Sequence, residues 1–175
     1  IGNAVRAPEK TRRVGHAGTL DPMATGVLVV AVGEATKLVA FLSSEDKEYD
    51  ATIALGRATD TLDAEGRETE RADVPASWQA GLDDALQSER ARVMQLPPVY
   101  SAIHAKGARS HELARRGEAV ELAERPVAVR ALEVAGLGEA EIRLRVTVSK
   151  GYYVRSLARD LAARLGTVGH LAALR

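Results

Sequence analysis

The densest chemical signal in the 175-residue sequence is Gly15-His16-Ala17-Gly18-Thr19-Leu20-Asp21-Pro22-Met23-Ala24-Thr25-Gly26. Asp21 stands immediately before a proline, whose ring disfavours the α conformation at the preceding residue. That residue is held extended and its side chain is aimed. The glycines on either side let a ligand or a second backbone come close. On composition alone, a purely structural turn stays open. Other chemistries fail on detail. A phosphate-cradling P-loop ends in Gly-Lys-Ser/Thr, which this stretch lacks. A metal centre needs more ligands than His16 and Asp21 supply. Further on, Asp60-Thr-Leu-Asp63-Ala-Glu65-Gly66 does not place its carboxylates at EF-hand spacing and is read as a turn.

The elements that must position these residues follow from periodicity. Gly26 to Val32 is a continuous apolar run of strand length, which predicts a buried central strand leading out of the Asp21 loop. Glu34 to Leu42 predicts a short amphipathic helix with Leu38, Val39 and Leu42 on one face, and Ile1 to Ala7 the end of another. Tyr49 to Leu55 alternates, with Tyr49, Ala51, Ile53 and Leu55 inward. Trp78 to Leu86 reads as a helix after Pro75, with Ser77 as its cap. Leu96-Pro97-Pro98 interrupts any regular element, and Ser110 to Arg116 predicts a short basic helix ended by Gly117. Val127 to Val134 alternates as a strand. So does Ile142, Leu144, Val146 and Val148, with Arg143, Arg145 and Thr147 on the other face. Val154, Leu157, Ala158, Leu161, Ala162 and Leu165 trace a helix stopped at Gly166, before a last short strand or turn at Leu171 to Leu174. Strands and helices do not alternate strictly, which favours an α+β domain.

Composition sets wide bounds. Hydrophobic residues make up 46% and charged residues 27%, enough for one domain with a real core. Cysteine is absent, which excludes disulfides and thiolate metal sites and fits a reducing compartment. No apolar run reaches the roughly 18 residues of a membrane span, and no signal-peptide pattern opens the chain, so a cytoplasmic protein is expected. The net charge of zero hides basic clusters at Arg6 to Arg13, Lys106 to Arg116 and Arg143 to Arg164. A phosphate footprint depends on such local patches and not on the total.

Gly15 to Leu28 resembles the signature of the TruB family of tRNA pseudouridine synthases. Five more motifs match in the family's order: Gly33-Glu-Ala-Thr-Lys37, Lys47-Glu-Tyr49, Gly56-Arg-Ala-Thr-Asp-Thr-Leu-Asp63 with Gly66, Pro97-Pro-Val-Tyr-Ser-Ala102 with Gly107 and Glu112 to Arg115, and Lys150-Gly-Tyr-Tyr-Val-Arg155. The resemblance implies a pseudouridine-synthase fold, with a central mixed or antiparallel sheet flanked by helices and an RNA-gripping insertion at about 97–125. It implies isomerisation of uridine to pseudouridine at position 55 in the T-loop of tRNA, after the base is flipped out of its stack. Asp21 would be the catalytic carboxylate, acting as a nucleophile or as the electrostatic partner of a glycal intermediate. Arg155 would pair with Asp21 and lower its pKa. Tyr49 would stack on the base and assist deprotonation at the sugar, Tyr153 would pack beside the base, Leu174 would close the pocket, and His16 would contact the flipped region. Lys106, Arg109, Arg115 and Arg116 are the candidate contacts to the RNA backbone.

The same resemblance implies no cofactor and no metal, the T stem-loop of tRNA as partner, no membrane, no obligate protein partner and a monomer. His104 and His111 stand where the family usually has lysine and an aromatic. The ends also differ: nothing matches the family's opening strand or its continuation beyond Arg175, so a trimmed catalytic core is expected. Two other functions compete, a guide-dependent synthase of the dyskerin type and a tRNA-folding helper without catalysis. The bacterial-type Met23-Ala-Thr-Gly26 and Asp60 to Gly66 speak against the first. The presence together of Asp21, Tyr49 and Arg155 speaks against the second.

Overall fold

The structure, a computed structural model, describes residues 13–18, 21–101, 103–105, 108–110, 113, 116 and 119–175, with the backbone alone at 104, 105, 108 and 109. Strands β1 (Val14–His16) and β2 (Val30–Val32) flank the Asp21 loop, and a 3₁₀ turn, Gly33–Leu38, runs into α1 (Val39–Leu42). Then come β3 (Lys47–Leu55), β4 (Arg57–Thr59), β5 (Glu68–Arg71), α2 (Leu82–Arg90) and β6 (Met94–Gln95). The remaining elements are β7 (His104–Ala105), β8 (Ala108–Arg109), β9 (Arg125–Pro126), β10 (Val129–Leu137), β11 (Glu141–Val148), α3 (Val154–Arg164) and β12 (Gly169–Leu174). Four strands form the main sheet in the order β10-β11-β3-β12, every neighbour antiparallel.

The α+β expectation holds, with α2 and α3 packed on one face of the sheet. The alternation read in β3 and β11 is the observed one. Ala51, Ile53 and Leu55 are buried with Ile142, Leu144, Val146 and Val148, while Arg143 and Arg145 are exposed. Helix α3 buries Val154, Leu157, Ala158, Leu161 and Ala162, the stripe that a 3.6-residue period requires. Each large apolar side chain so buried stabilises the fold by about 1.5–3 kcal/mol. The helix ends at Gly166, whose φ of 78° is left-handed. On α2 the same stripe reads Leu82, Ala85, Leu86, Glu89. The buried Glu89 is accommodated because its Oε1 accepts from Tyr152 Oη at 2.7 Å and from Arg92 Nε at 2.7 Å.

Close packing between α3 and the sheet depends on Gly169. A Cβ there would lie 2.7 Å from the Cβ of Ala162 and 2.8 Å from the carbonyl oxygen of Ala54. Gly169→Ala is therefore expected to destabilise the protein by about 1–3 kcal/mol, read as a lower urea midpoint with unchanged slope.

Several expectations need correction. The run from Gly26 to Val32 is not a buried central strand. Among the described residues only Val30–Val32 of this run is extended in a ladder, with β1 as its one partner, and Val27 is 90% exposed. A continuous apolar run reports a demand for cover without specifying the sheet that supplies it. The segment 34–42 divides into the 3₁₀ turn and α1, and neither buries a residue; Leu38 and Leu42 are exposed. The helix near Trp78 begins as a 3₁₀ turn, Trp78–Gly81, and the Ser77 side chain makes no capping bond. The strand placed at 127–134 is β10, displaced to Val129–Leu137 with two register shifts. Leu171 to Leu174 belongs to a full member of the main sheet. Of the basic helix at 110–116, Ser110 and Leu113 are helical and Arg116 lies in a turn. The rest of that segment, and Ile1 to Ala7, lie outside the described residues.

Candidate active site

The Asp21 loop is fastened to the main sheet from its C-terminal side. Ala24 N–H donates to the Asp21 carbonyl at 2.9 Å, which closes a turn over Pro22. Thr25 N–H donates to the Leu174 carbonyl at 2.9 Å, tying the loop to the end of β12. Gly26 follows at φ 116°, a conformation an L side chain rarely adopts, and turns the chain toward β2. Beyond β12, Arg175 and Asp50 exchange backbone hydrogen bonds at 2.8 Å, extending the pairing with β3 under the loop.

Arg155 comes from 134 positions later, in the first turn of α3. A cation there faces the positive end of the helix dipole, and that turn contains no acidic residue of its own. The compensation arrives from three other segments. Arg155 Nε and Nη2 donate to the two Asp21 oxygens at 3.0 and 2.9 Å, a bidentate fork. Nη1 donates to the Thr61 and Tyr100 carbonyls at 3.0 and 3.1 Å and lies 3.7 Å from Asp63 Oδ2. Four of the five guanidinium N–H groups are thus engaged, and only 7% of the residue is exposed.

Asp63 is buried and held by its own turn. Its Oδ1 accepts from Thr61 Oγ1 at 2.6 Å and from the Glu65 N–H at 3.1 Å, while its carbonyl accepts from Thr59 Oγ1 at 2.7 Å. Leu62, between Thr61 and Asp63, sits at φ 63°. A left-handed leucine costs roughly 1–2 kcal/mol, which the Leu62 N–H to Thr59 and Leu171 N–H to Leu62 bonds offset. The sequence marks 60–66 only as a turn. That one of its carboxylates backs the Arg155–Asp21 pair has no local signature.

A cleft of about 590 Å³ opens over the pair, within the range of small-ligand sites. Asp21, Tyr49, Tyr153, Arg155 and Leu174 all line it. His16 does not: it is exposed on β1, and its Nδ1 bonds to the Gly18 carbonyl. Of the candidate RNA-backbone cations, Arg116 is exposed in a turn; Lys106 and Arg115, and the side chain of Arg109, lie outside the described residues. Tyr152, beside Tyr153, also borders the cleft, but its hydroxyl reaches into the core, where burial and the neighbouring Glu89 push its phenol pKa strongly upward. A second cavity, of about 630 Å³, lies by β4, β5 and His170 and is lined by none of the candidate catalytic or substrate-binding residues.

Burial pushes the Asp21 carboxyl above the usual carboxylate range; Arg155 pulls the other way, and Asp63 adds to the rise. This corrects the expectation of a lowered value: the guanidinium that pairs with Asp21 does not outweigh the desolvation of the cleft. The Tyr49 phenol is also raised, first by burial and then by the negative charge of Asp21. Among the described residues neither Tyr49 nor Tyr153 has a hydrogen-bond partner for its hydroxyl, so two aromatic rings border one carboxylate. Such a cleft suits a flat, uncharged group whose reacting atom develops positive charge opposite Asp21.

The family described as TruB family pseudouridylate synthase (N terminal domain) matches residues 6–154. The chain is 47% identical over 171 residues to tRNA pseudouridine synthase B of Paracoccus denitrificans, covering 98% of the chain and 57% of that protein. It is 47% identical over 165 residues to the protein of the same name in Psychrobacter cryohalolentis, covering 94% of the chain and 46% of the relative. It thus spans about half the length of the curated relatives it matches. In a Cbf5-Nop10-Gar1 complex, one chain superimposes with a TM-score of 0.67 at 29% identity, covering 93% of this chain and 39% of that one. An H/ACA RNP bound to a substrate RNA containing 2'-deoxyuridine gives 0.56 at 26%, covering 93% and 37%. Family match, relatives and fold agree, and the chain belongs to the TruB family of pseudouridylate synthases.

Proposed function

We propose that this protein isomerises uridine to pseudouridine at position 55 in the T-loop of tRNA. The observation that carries this reading is the Asp21–Arg155 fork at the floor of a cleft bordered by Tyr49 and Tyr153, in a chain whose relatives are named tRNA pseudouridine synthase B. Breaking the N1–C1′ bond leaves positive charge at the sugar, which the Asp21 carboxylate meets either by bonding or by electrostatic stabilisation. The detached uracil turns between the rings of Tyr49 and Tyr153 and re-bonds through C5. One proton leaves C5 and one is gained at N1, so the reaction is redox-neutral. The raised Tyr49 pKa favours a neutral ring that stacks on the base over an ionised base catalyst.

A flipped nucleotide is required, because no side chain reaches C1′ inside a stacked loop. The higher identity to the bacterial relatives than to the H/ACA-associated structures favours action without a guide RNA. The test is incubation with an unmodified tRNA transcript, then cyanoethylation and mass spectrometry to locate the product. Pseudouridine at the T-loop uridine without a guide RNA supports the reading; tight binding with no product overturns it.

The raised Asp21 pKa has a measurable consequence. The ionised form is the competent one, so activity is lost as pH falls through its pKa. A raised value moves that loss to higher pH than an ordinary carboxylate, near 3.9, would show. Single-turnover rates across the acid range are expected to give an acid limb above that value. A limb at or below it would place Arg155, and not burial, in control.

A further inference from the structure

The N-terminus of α3 is capped by a segment distant in sequence. Tyr153 is its N-cap residue, extended at φ −113° and ψ 113°, and makes no side-chain capping bond. In a capping box, the third helical residue reaches back to the N-cap N–H. Here that position is Ser156, whose Oγ instead donates to the Leu96 carbonyl at 2.8 Å. Gln95 performs the reach-back. Its Oε1 accepts from the Tyr153 N–H at 2.8 Å, and its Nε2 donates to the Tyr153 carbonyl at 3.1 Å. One partner is a donor and the other an acceptor, so the carboxamide has a single satisfied orientation.

Gln95 is 1% exposed and lies in β6, which pairs with β9 as Met94↔Pro126 and Gln95↔Arg125. These two strands close the root of the 97–125 insertion. From the same root, the Leu96 carbonyl also accepts from Arg159 Nη2 at 3.3 Å, and the Tyr100 carbonyl accepts from Arg155 at 3.1 Å. Consecutive parts of the insertion's stem thus grip the helix turn that presents Tyr153 and Arg155. Among them, Gln95 alone does so through a side chain.

We infer that Gln95 is a positioning residue for the reaction: its carboxamide fixes Tyr153, and through it Arg155 two residues on, in register with Asp21, so that the insertion's root sets the geometry of the cleft. The inference rests on the proposed isomerisation for its kinetic readout and on backbone geometry for its structural one. Losing the clamp lets the Tyr153 ring and the guanidinium shift, and a misplacement of about 1 Å costs roughly 10²-fold in rate. RNA affinity, spread over many phosphate contacts, should change far less than the rate.

The test compares the protein with its Gln95→Leu and Gln95→Glu variants. Three quantities are read: single-turnover pseudouridine formation against pH, the tRNA dissociation constant, and amide hydrogen exchange over residues 150–157. Gln95→Leu is expected to lose about 10–100-fold in rate at every pH, with affinity within about twofold and faster exchange at the Tyr153 amide. In Gln95→Glu the ionised carboxylate still accepts from the Tyr153 N–H but opposes the Tyr153 carbonyl. Protonation restores the donor, so the ratio of its rate to that of the unmodified protein should rise as pH falls. A merely structural role would instead make that ratio follow the folded fraction, measured in parallel at each pH.

The inference is overturned if Gln95→Leu keeps its rate, or if its loss follows the folded fraction or the tRNA affinity. It is also overturned if exchange over 150–157 is unchanged. If the unmodified protein forms no pseudouridine, the proposed function fails, and the exchange measurement alone decides whether Gln95 positions Tyr153.

Discussion

Asp21→Asn is expected to lower pseudouridine formation by roughly 10⁴-fold or more while leaving tRNA binding within a few-fold. Asparagine keeps the size of the side chain and one acceptor for the Arg155 fork, so the cleft survives. What disappears is the negative charge, and with it both available roles, bonding to C1′ and stabilising positive charge there. Arg155 remains engaged by the Thr61 and Tyr100 carbonyls and by Asp63 at 3.7 Å, so the substitution should not unfold the protein. Single-turnover assays with product located by mass spectrometry, and binding measured in parallel, separate chemistry from recognition. A loss below about 100-fold would remove Asp21 from the centre of the mechanism. Equal loss of binding would mean that its main contribution is to hold RNA.

Arg155→Met is expected to reduce both activity and stability. It removes a guanidinium that faces two carboxylates, leaving Asp21 partly and Asp63 almost wholly buried without a counter-charge. Breaking such a pair costs about 3 kcal/mol in stability, read by urea denaturation, and the rate should fall by at least 10²-fold. Arg155→Lys should rescue neither. An ammonium cannot serve both Asp21 oxygens and two carbonyls at once, because its donors radiate from one point and are not spread over a planar fork. The combination Asp21→Asn with Arg155→Met gives the sharper test. Removing both charges should cost less stability than the two single losses added, since the second change relieves part of the first. Strict additivity would show that the fork makes no contribution to stability.

Local pattern carried far in this chain wherever one physical rule dominated. The alternation in β3 and β11 and the stripe on α3 placed their buried residues correctly, because the period of a strand or helix forces one face inward. Patterns without a period carried less. Gly26 to Val32 is as apolar as a central strand, yet Val27 and Val29 are exposed and only three residues pair. Ser77 has the right chemistry for a cap and does not make one. Two adjacent tyrosines in one motif border the cleft and still differ: Tyr152 is buried and donates its hydroxyl to Glu89 in the core, while Tyr153 is only half-buried. Consecutive residues point apart at a strand-to-helix junction, and only packing determines which one the core takes.

For the site, the residue types and order of the motifs were enough to single out Asp21, Tyr49, Tyr153, Arg155 and Leu174, all of which line one cleft. The sequence alone also determined the family, because six motifs matching in one order are far more specific than any single motif. The energetics were left to the tertiary structure. A carboxylate and a guanidinium 134 residues apart imply mutual stabilisation, and a lowered Asp21 pKa would follow if charge were the only influence. The folded protein reverses the sign, because desolvation depends on everything packed around the pair and on no neighbour in sequence. Asp63 behind Arg155 and Gln95 behind Tyr153 belong to the same class. They are polar residues whose purpose is set by a partner across the fold, and a linear sequence contains no distance.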